Sequence, residues 1–439
     1  MIEEPGDDAE PRSAHARLRH ALKAARDGAG LSQAELGALV GYTRQYVSLA
    51  EREGHNLPSH ELVAAIDQAL GSGGTLVRLR DAARQEQLRG RNRSSSTARP
   101  PMPNTVEELL MSAAGESSEF LAWAESTNVG DLTIEQMHDE IRRIAHSYLK
   151  VPTLPLFARA KGLRNRAFTI LGGHQDPRHT RELYAAAGWS LTILAWISVD
   201  LGRADAARDH ARAAWMCAER ADHNPLRAWV RATQHTAAFW QADYDTAAGY
   251  ATDGLNYVGT GTAELFLHSA RALDLARAGD TQAAETALHQ AQRVADTAVR
   301  AQDELAGPLT CTVDRAGSLW SDTELALGRA DNALSLADRA VAQFEAAPEE
   351  QRNFGSERMT RLQQVKAHLA LGDLRSAEDA LVPVLDTPST QRVRPLVHRV
   401  TEVGTLAAQA GGTSDPAIRR IRAAVTDFRN DTVVRELTA

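Results

Sequence analysis

Five phrases recur along the chain from residue 201 on: LGRADAA from Leu201, QADYDTA from Gln241, AGDTQAA from Ala278, LGRADNA from Leu327 and LGDLRSA from Leu371. Each holds a small residue, Gly202, Ala242, Gly279, Gly328 or Gly372, and five positions later an alanine, Ala207, Ala247, Ala284, Ala333 or Ala377. Successive copies stand 40, 37, 49 and 44 residues apart. Such a period holds one pair of helices, which cannot bury its apolar face alone, so stacked helical hairpins are predicted. The small residue permits a tight turn and the alanine lets the two helices approach. A second small residue seven positions further on, at Ala214, Gly254, Ala291 and Ala340, repeats the contact two turns along.

The first hundred residues are patterned differently. ARLRHALKAARDGAG has helical apolar spacing and closes on Gly28 and Gly30. Ser32 and Glu35 have capping-box spacing at the head of a short second helix, which Gly41 stops. Thr43 is expected to cap a third helix, with Val47 and Ala50 on its inner face and Arg44, Gln45, Ser48 and Arg52 largely on the other. Pro58 and Ser59 begin a fourth helix, and TLVRLRDAARQEQLR supplies a fifth. GRNRSSSTARPPMPN lacks buried-face periodicity and is predicted to be a linker. The expected layout is an all-α chain: a five-helix domain over 14–89, a linker over 90–104 and a helical repeat domain over 105–439.

The net charge of −8 is unevenly distributed. Residues 1–11 carry five acids and no base, whereas residues 12–93 carry thirteen Lys or Arg against eight Asp or Glu. A basic module joined to an acidic body follows, and the module alone has the sign that attracts phosphate. The acidic start does not resemble a signal peptide, no run approaches a membrane span, and two cysteines are too few for a disulfide framework. A cytoplasmic protein is therefore expected.

The segment LSQAELGALVGYTRQYVSLAEREGHNLPSHELVAAIDQAL resembles the helix-turn-helix of the phage-repressor-like (XRE) family. The resemblance rests on Ser32-Gln33, Gly41, Thr43, Val47, Glu51-Arg52 and Asn56-Leu57-Pro58-Ser59, with Glu53 as an extra residue before Gly54. It implies that the third helix lies in the major groove of double-stranded DNA. Arg44 would then offer two donors to guanine and Gln45 would pair with adenine. Tyr46 and Ser48 would meet phosphate or a thymine methyl, Gln33 and Thr43 would anchor at helix N-termini, and Arg52 completes the set. The alternative for the polar side chains is a solvated helix face. Modules of this kind bind as dimers on inverted repeats.

The recurring phrases resemble the tetratricopeptide repeat over roughly 180–390. That resemblance implies a right-handed superhelix whose concave surface binds a peptide, a protein or a small molecule. Along the family's pattern Trp189, Trp196, Trp229, Phe239 and Phe266 face the groove, with Arg227, Arg231 and His235 near enough to serve a carboxylate. Packing between hairpins is the alternative for the aromatics, and a solvated face for Arg231. The layout is similar to the peptide-responsive regulators of Gram-positive bacteria, which act as cytoplasmic homodimers. A transcription regulator is the leading expectation, and a protein-interaction scaffold with a secondary DNA-binding role is the alternative.

No enzyme, cofactor or metal is expected. GxxxxGK, HExxH and GxSxG are missing. The densest candidate is GGHQDPRHTRE over 172–182, where His174, Asp176 and His179 fall in an inter-helix loop without a fourth ligand.

Overall fold

Ser13, Ser32 and Ser59 each place a side-chain oxygen on a backbone N–H of a first helical turn, and these three caps set where the N-terminal helices begin. The computed structural model describes residues 13–52, 57–96, 106–125, 127–148, 150–259, 261–298, 303–349, 352–410 and 415–432. Every regular element among them is helical. The chain divides into two units, residues 1–118 and 119–439.

In the first unit, α1 (Ala14–Gly28), α2 (Gln33–Leu39), α3 (Arg44–Glu51), α4 (His60–Ala69) and α5 (Thr75–Ser96) enclose a small core. Leu18 and Leu22 meet Leu36, Val47, Val63, Ile66 and Leu76 in it. The capping box at α2 is complete: Ser32 Oγ accepts from Glu35 N–H at 3.2 Å, and Ser32 N–H donates to Glu35 Oε2 at 2.8 Å. Buried Asp67, which the sequence reading passed over, accepts from the N–H groups of Gly74, Leu76 and Val77 and so starts α5. α5 runs on to Ser96, so Gly90–Ser96, expected to open a linker, is helical. The rest of that expected linker, residues 97–104, lies outside the described residues, which resume at α6 (Val106–Glu125).

The second unit is a stacked array of helical hairpins. α7 (Asp131–His146) and α8 (Thr153–Leu171) precede six pairs. These are α9 (Pro177–Asp200) with α10 (Ala204–Ala221), α11 (Asn224–Phe239) with α12 (Tyr244–Gly254), and α13 (Ala263–Ala278) with α14 (Thr281–Ala298). They continue with α15 (Val313–Ala326) and α16 (Ala330–Ala346), α17 (Phe354–Leu371) and α18 (Leu374–Leu385), and α19 (Arg394–Ala410) and α20 (Pro416–Asn430).

The recurring phrases are the turns of the first five pairs. All five small residues have positive φ, from 58° at Ala242 to 88° at Gly279. The N–H just after each returns to a carbonyl five residues back, from Arg203 to Ser198, Asp243 to Ala238, Asp280 to Leu275, Arg329 to Glu324 and Asp373 to His368. This is a Schellman closure, which satisfies orphan carbonyls and reverses the chain within one residue of the next helix. The five alanines beyond the turns are fully buried. At Gly254 an added Cβ would lie 2.9 Å from the Arg231 Cβ, so the second small position is also a close approach.

α9 is apolar and long enough by composition to cross a bilayer, an exception to the expectation of no such run. It is an inner helix of the unit, with 89% of the qualifying window buried against its neighbours. Consecutive odd-numbered helices from α9 to α19 touch each other, and α19 also touches α9. The inner layer therefore closes on itself and surrounds a cavity.

Candidate DNA-binding surface and ligand cavity

The geometry of α3 follows from which of its residues the core takes. Val47 and Ala50 are buried, which turns Arg44 and Tyr46 outward, Tyr46 being 56% exposed. Arg52 is exposed at the helix end and Ser48 half-buried. Tyr46 meets the edge of Tyr42 with ring centroids 5.8 Å apart. The Gln45 side chain and residues 53–56, including the extra Glu53, lie outside the described residues.

Two expected roles change. Thr43 occupies the N-cap position of α3 in an extended conformation, but its side chain makes no capping bond. Its hydroxyl is exposed there instead. Gln33 does not reach outward with its amide: Nε2 donates to Glu51 Oε2 at 2.8 Å. Glu51 also accepts a bidentate pair from buried Arg26, with Nε at 2.7 Å and Nη2 at 3.0 Å, while Arg26 Nη1 donates to the Leu31 carbonyl at 2.8 Å. Donating to the Glu51 carboxylate raises the Arg26 guanidinium above its ordinary value. One carboxylate at the end of α3 thus fixes the helix to α1 and α2. Glu51 belongs to the helix-turn-helix motif of the sequence, whereas nothing local in the sequence marks its partner Arg26 on α1.

The other end of α3 is set by Gly37. The Tyr42 N–H donates to the Gly37 carbonyl at 2.8 Å. A Cβ at Gly37 would stand 2.9 Å from Tyr42 O and 3.1 Å from Arg44 N, both backbone atoms. Gly37→Ala is expected to displace the start of α3 and to cost about 1–3 kcal/mol. Hydrogen-exchange protection of α2 and α3 in the full chain checks this; unchanged protection would show that the turn absorbs the methyl freely.

In the second unit the predicted groove aromatics separate into two groups. Trp196, Phe239 and Phe266 line a cavity of about 530 Å³. Trp189 and Trp229 do not, because they are core residues with 1% and 2% exposure. Their indole N–H groups donate to Glu304 and Asp303, which tie the segment after α14 back to α9 and α11. Arg231 also lies outside the cavity lining: its Nε donates to Asp253 at 2.5 Å and its guanidinium stacks 3.5 Å from the Trp215 ring centroid. The pattern placed these residues on inner helices correctly, but one helix face packs between hairpins and only part of it looks inward.

The cavity wall is rich in charge, of which sequence reading names only His235. On α15, buried Arg315 donates through Nη1 to the carbonyls of Pro308, at 3.0 Å, and Thr310. Its guanidinium lies 4.9 Å from the Phe266 ring centroid and 5.5 Å from that of Trp196. At the end of α9, Asp200 accepts from the Tyr148 hydroxyl, and burial raises its carboxyl to about 7 despite that hydrogen bond. On α11, His235 Nε2 lies 3.1 Å from Asp274 Oδ1. Asp322 takes Arg277 at 2.9 Å, Lys366 at 3.4 Å and Arg399. Arg352 donates through Nη2 to both carboxylate oxygens of Glu357, each at 2.9 Å.

The His174–His179 segment does not converge. His179 Nε2 lies 2.7 Å from Asp131 Oδ1, His174 Nε2 lies 3.1 Å from the Trp123 carbonyl, and Asp176 caps α9 by accepting from Arg178 N–H. Both cysteines are buried and unbridged, and burial pushes Cys217 up to about 11 and Cys311 up to about 12.

Comparison with known proteins agrees with the geometry of the first unit. No curated protein matches the chain. Residues 17–80 match the family model of a helix-turn-helix domain, a span that includes α2, its turn and α3. The chain therefore carries a helix-turn-helix DNA-binding domain at its N-terminal end, followed by a helical domain.

Proposed function

We propose that the protein is a sequence-specific transcription regulator acting in the cytoplasm, in which α3 reads the major groove and the helical body binds a ligand that sets the activity of the module. The observation that carries this reading is an α3 with its apolar side buried and Arg44 and Tyr46 exposed, inside a segment that matches a helix-turn-helix domain. Arg44 offers a bidentate donor to guanine, and Gln45 is the second specificity residue. Ser48, Thr43 and Arg52 act as phosphate or methyl contacts, and Gln33 acts indirectly by holding α3 through Glu51.

The body is read as tetratricopeptide-like, which supports a binding role without catalysis. Its cavity has the size and mixed lining of a small-molecule site, and Trp196, Phe239 and Phe266 supply the apolar part. The protein works as a homodimer on an inverted repeat, since modules of this kind need two half-sites about one helical turn apart.

Selection of bound sequences from a random library, followed by band shifts at several salt concentrations, tests the reading. Arg44→Ala should weaken the selected site by about 1–3 kcal/mol and relax preference at one base pair. Unselective DNA retention, or a variant with the same footprint and affinity, would refute it.

A further inference from the structure

Most cations of the cavity wall are paired with a carboxylate, but two arginines make no ion pair among the described residues. Arg399 pairs with Asp322 and Glu402, and Arg352 with Glu357. Arg315 is 8% exposed and hydrogen-bonded to carbonyl oxygens, and no described carboxylate forms an ion pair with it, Asp303 and Asp314 only partly offsetting the cost of its burial from a distance. Arg358 donates through Nη2 to Gln391 Oε1 at 3.0 Å and likewise has no ion pair among the described residues. Burial holds both guanidinia below their ordinary value. A buried cation without a counter-charge is costly, and a bound anion removes that cost.

A third polar group points the same way. Gln363 on α17 lines the cavity, is 3% exposed, and its Oε1 has no hydrogen-bond partner. A buried acceptor left unmade costs free energy that a ligand N–H or O–H recovers. The rest of the wall includes Trp196, Phe239 and Phe266. The carboxylates that face the cavity are Asp200, Asp314 and Asp322; Asp322 is neutralised by its cations, Asp200 is protonated over much of the range below about 7, and Asp314, next to Arg315 in the chain, is the one that opposes an anion.

We propose that the cavity binds an apolar organic monoanion, its acidic group drawn to Arg315 and Arg358, its ring or chain against the aromatic wall, and a donor group on Gln363. The proposal deepens the ligand-sensing reading above and rests on it. Two sources share this chemistry, a small aromatic carboxylic acid and the free C-terminus of a short apolar peptide.

The full-length protein is titrated with anilinonaphthalenesulfonate, an apolar anion with one N–H, and with phenylnaphthylamine, the same ring system without the charge. Saturable binding of the anion is expected, tighter than that of the neutral analogue. Arg358→Met leaves the carbonyl contacts of Arg315 intact and should weaken the anion roughly 10- to 100-fold while leaving the neutral analogue within about twofold. Arg315→Lys, which retains charge but loses the fork, is the second variant and should weaken the anion in the same selective way. Circular dichroism verifies that each variant is folded.

Displacement of the fluorescent anion by naphthoate assigns the site to small acids; displacement by trileucine with a free carboxylate, but not by its amide, assigns it to peptide termini. Equal loss of both probes, unchanged affinity for the anion in both variants, or displacement by neither competitor would overturn the proposal. These titrations contain no DNA, so a protein that holds the anion yet retains no DNA would fail the regulator reading alone.

Discussion

Replacing Asp322 with alanine is expected to destabilise the helical body by about 3–5 kcal/mol, because it would strand several buried cations at once. Asp322 is 2% exposed on α15 and receives Arg277 from α13, Lys366 from α17 and Arg399 from α19. Burial alone would raise its carboxyl, but Arg399, Lys366 and Arg277 together hold it well below the usual range. The ion that remains, Glu402, contacts the same three cations but has 26% side-chain exposure and cannot replace a carboxylate at their centre. Glu402→Ala should therefore cost clearly less. Urea unfolding of the two variants, followed by tryptophan fluorescence, gives the comparison. A loss below about 1 kcal/mol for Asp322→Ala would mean that water reaches the cations and that the four inner helices do not depend on this ion for their packing.

The way those helices close was not visible beforehand, and the reason is physical. Hairpin turns announce themselves because a left-handed residue and a close helix contact admit few side chains, so Gly202 and Ala207 carry their geometry in their identities. The same holds for Ser32 and Glu35, whose capping bonds span three residues. Nothing comparably local marks Arg26 against Glu51, or the contact of α19 with α9, where the partners lie far apart in the chain.

Inner helices add a second obscurity. α15 buries Arg315, Ser318, Ser321, Asp322, Thr323 and Glu324, so an apolar stripe, the ordinary sign of an inward face, is missing where the cavity needs it. Polar residues on that helix look solvated in the sequence. The aromatic signal, by contrast, was legible but coarse: it found the inner helices, yet Trp189 and Trp196 are seven residues apart and only Trp196 reaches the cavity. For the recognition surface the burial of Val47 and Ala50 was legible, whereas the loss of the Thr43 cap depends on a rotamer that no spacing reveals.

Asp200 supplies the second large effect, in the opposite direction from Asp322. Its folded value of about 7 lies above the ordinary 3.8, chiefly through burial, against the lowering effect of the Tyr148 hydrogen bond. Its place as the last residue of α9 adds the negative end of a helix dipole. Between those two values the folded protein keeps a proton that the unfolded chain has released. The stabilisation is complete below the unfolded value, declines as pH rises through the window, and is gone once pH passes about 7. Asp200→Asn keeps an acceptor for Tyr148 without a charge to bury, so it should equal the wild type in acid and exceed it above neutrality by on the order of 4 kcal/mol. Histidines such as His210 and His268, which burial lowers, push the total curve the other way, so the difference between the two proteins is the quantity to follow. Guanidinium unfolding from about pH 5 to about pH 8 provides it. Parallel curves for the two proteins would mean that Asp200 ionises freely in the fold.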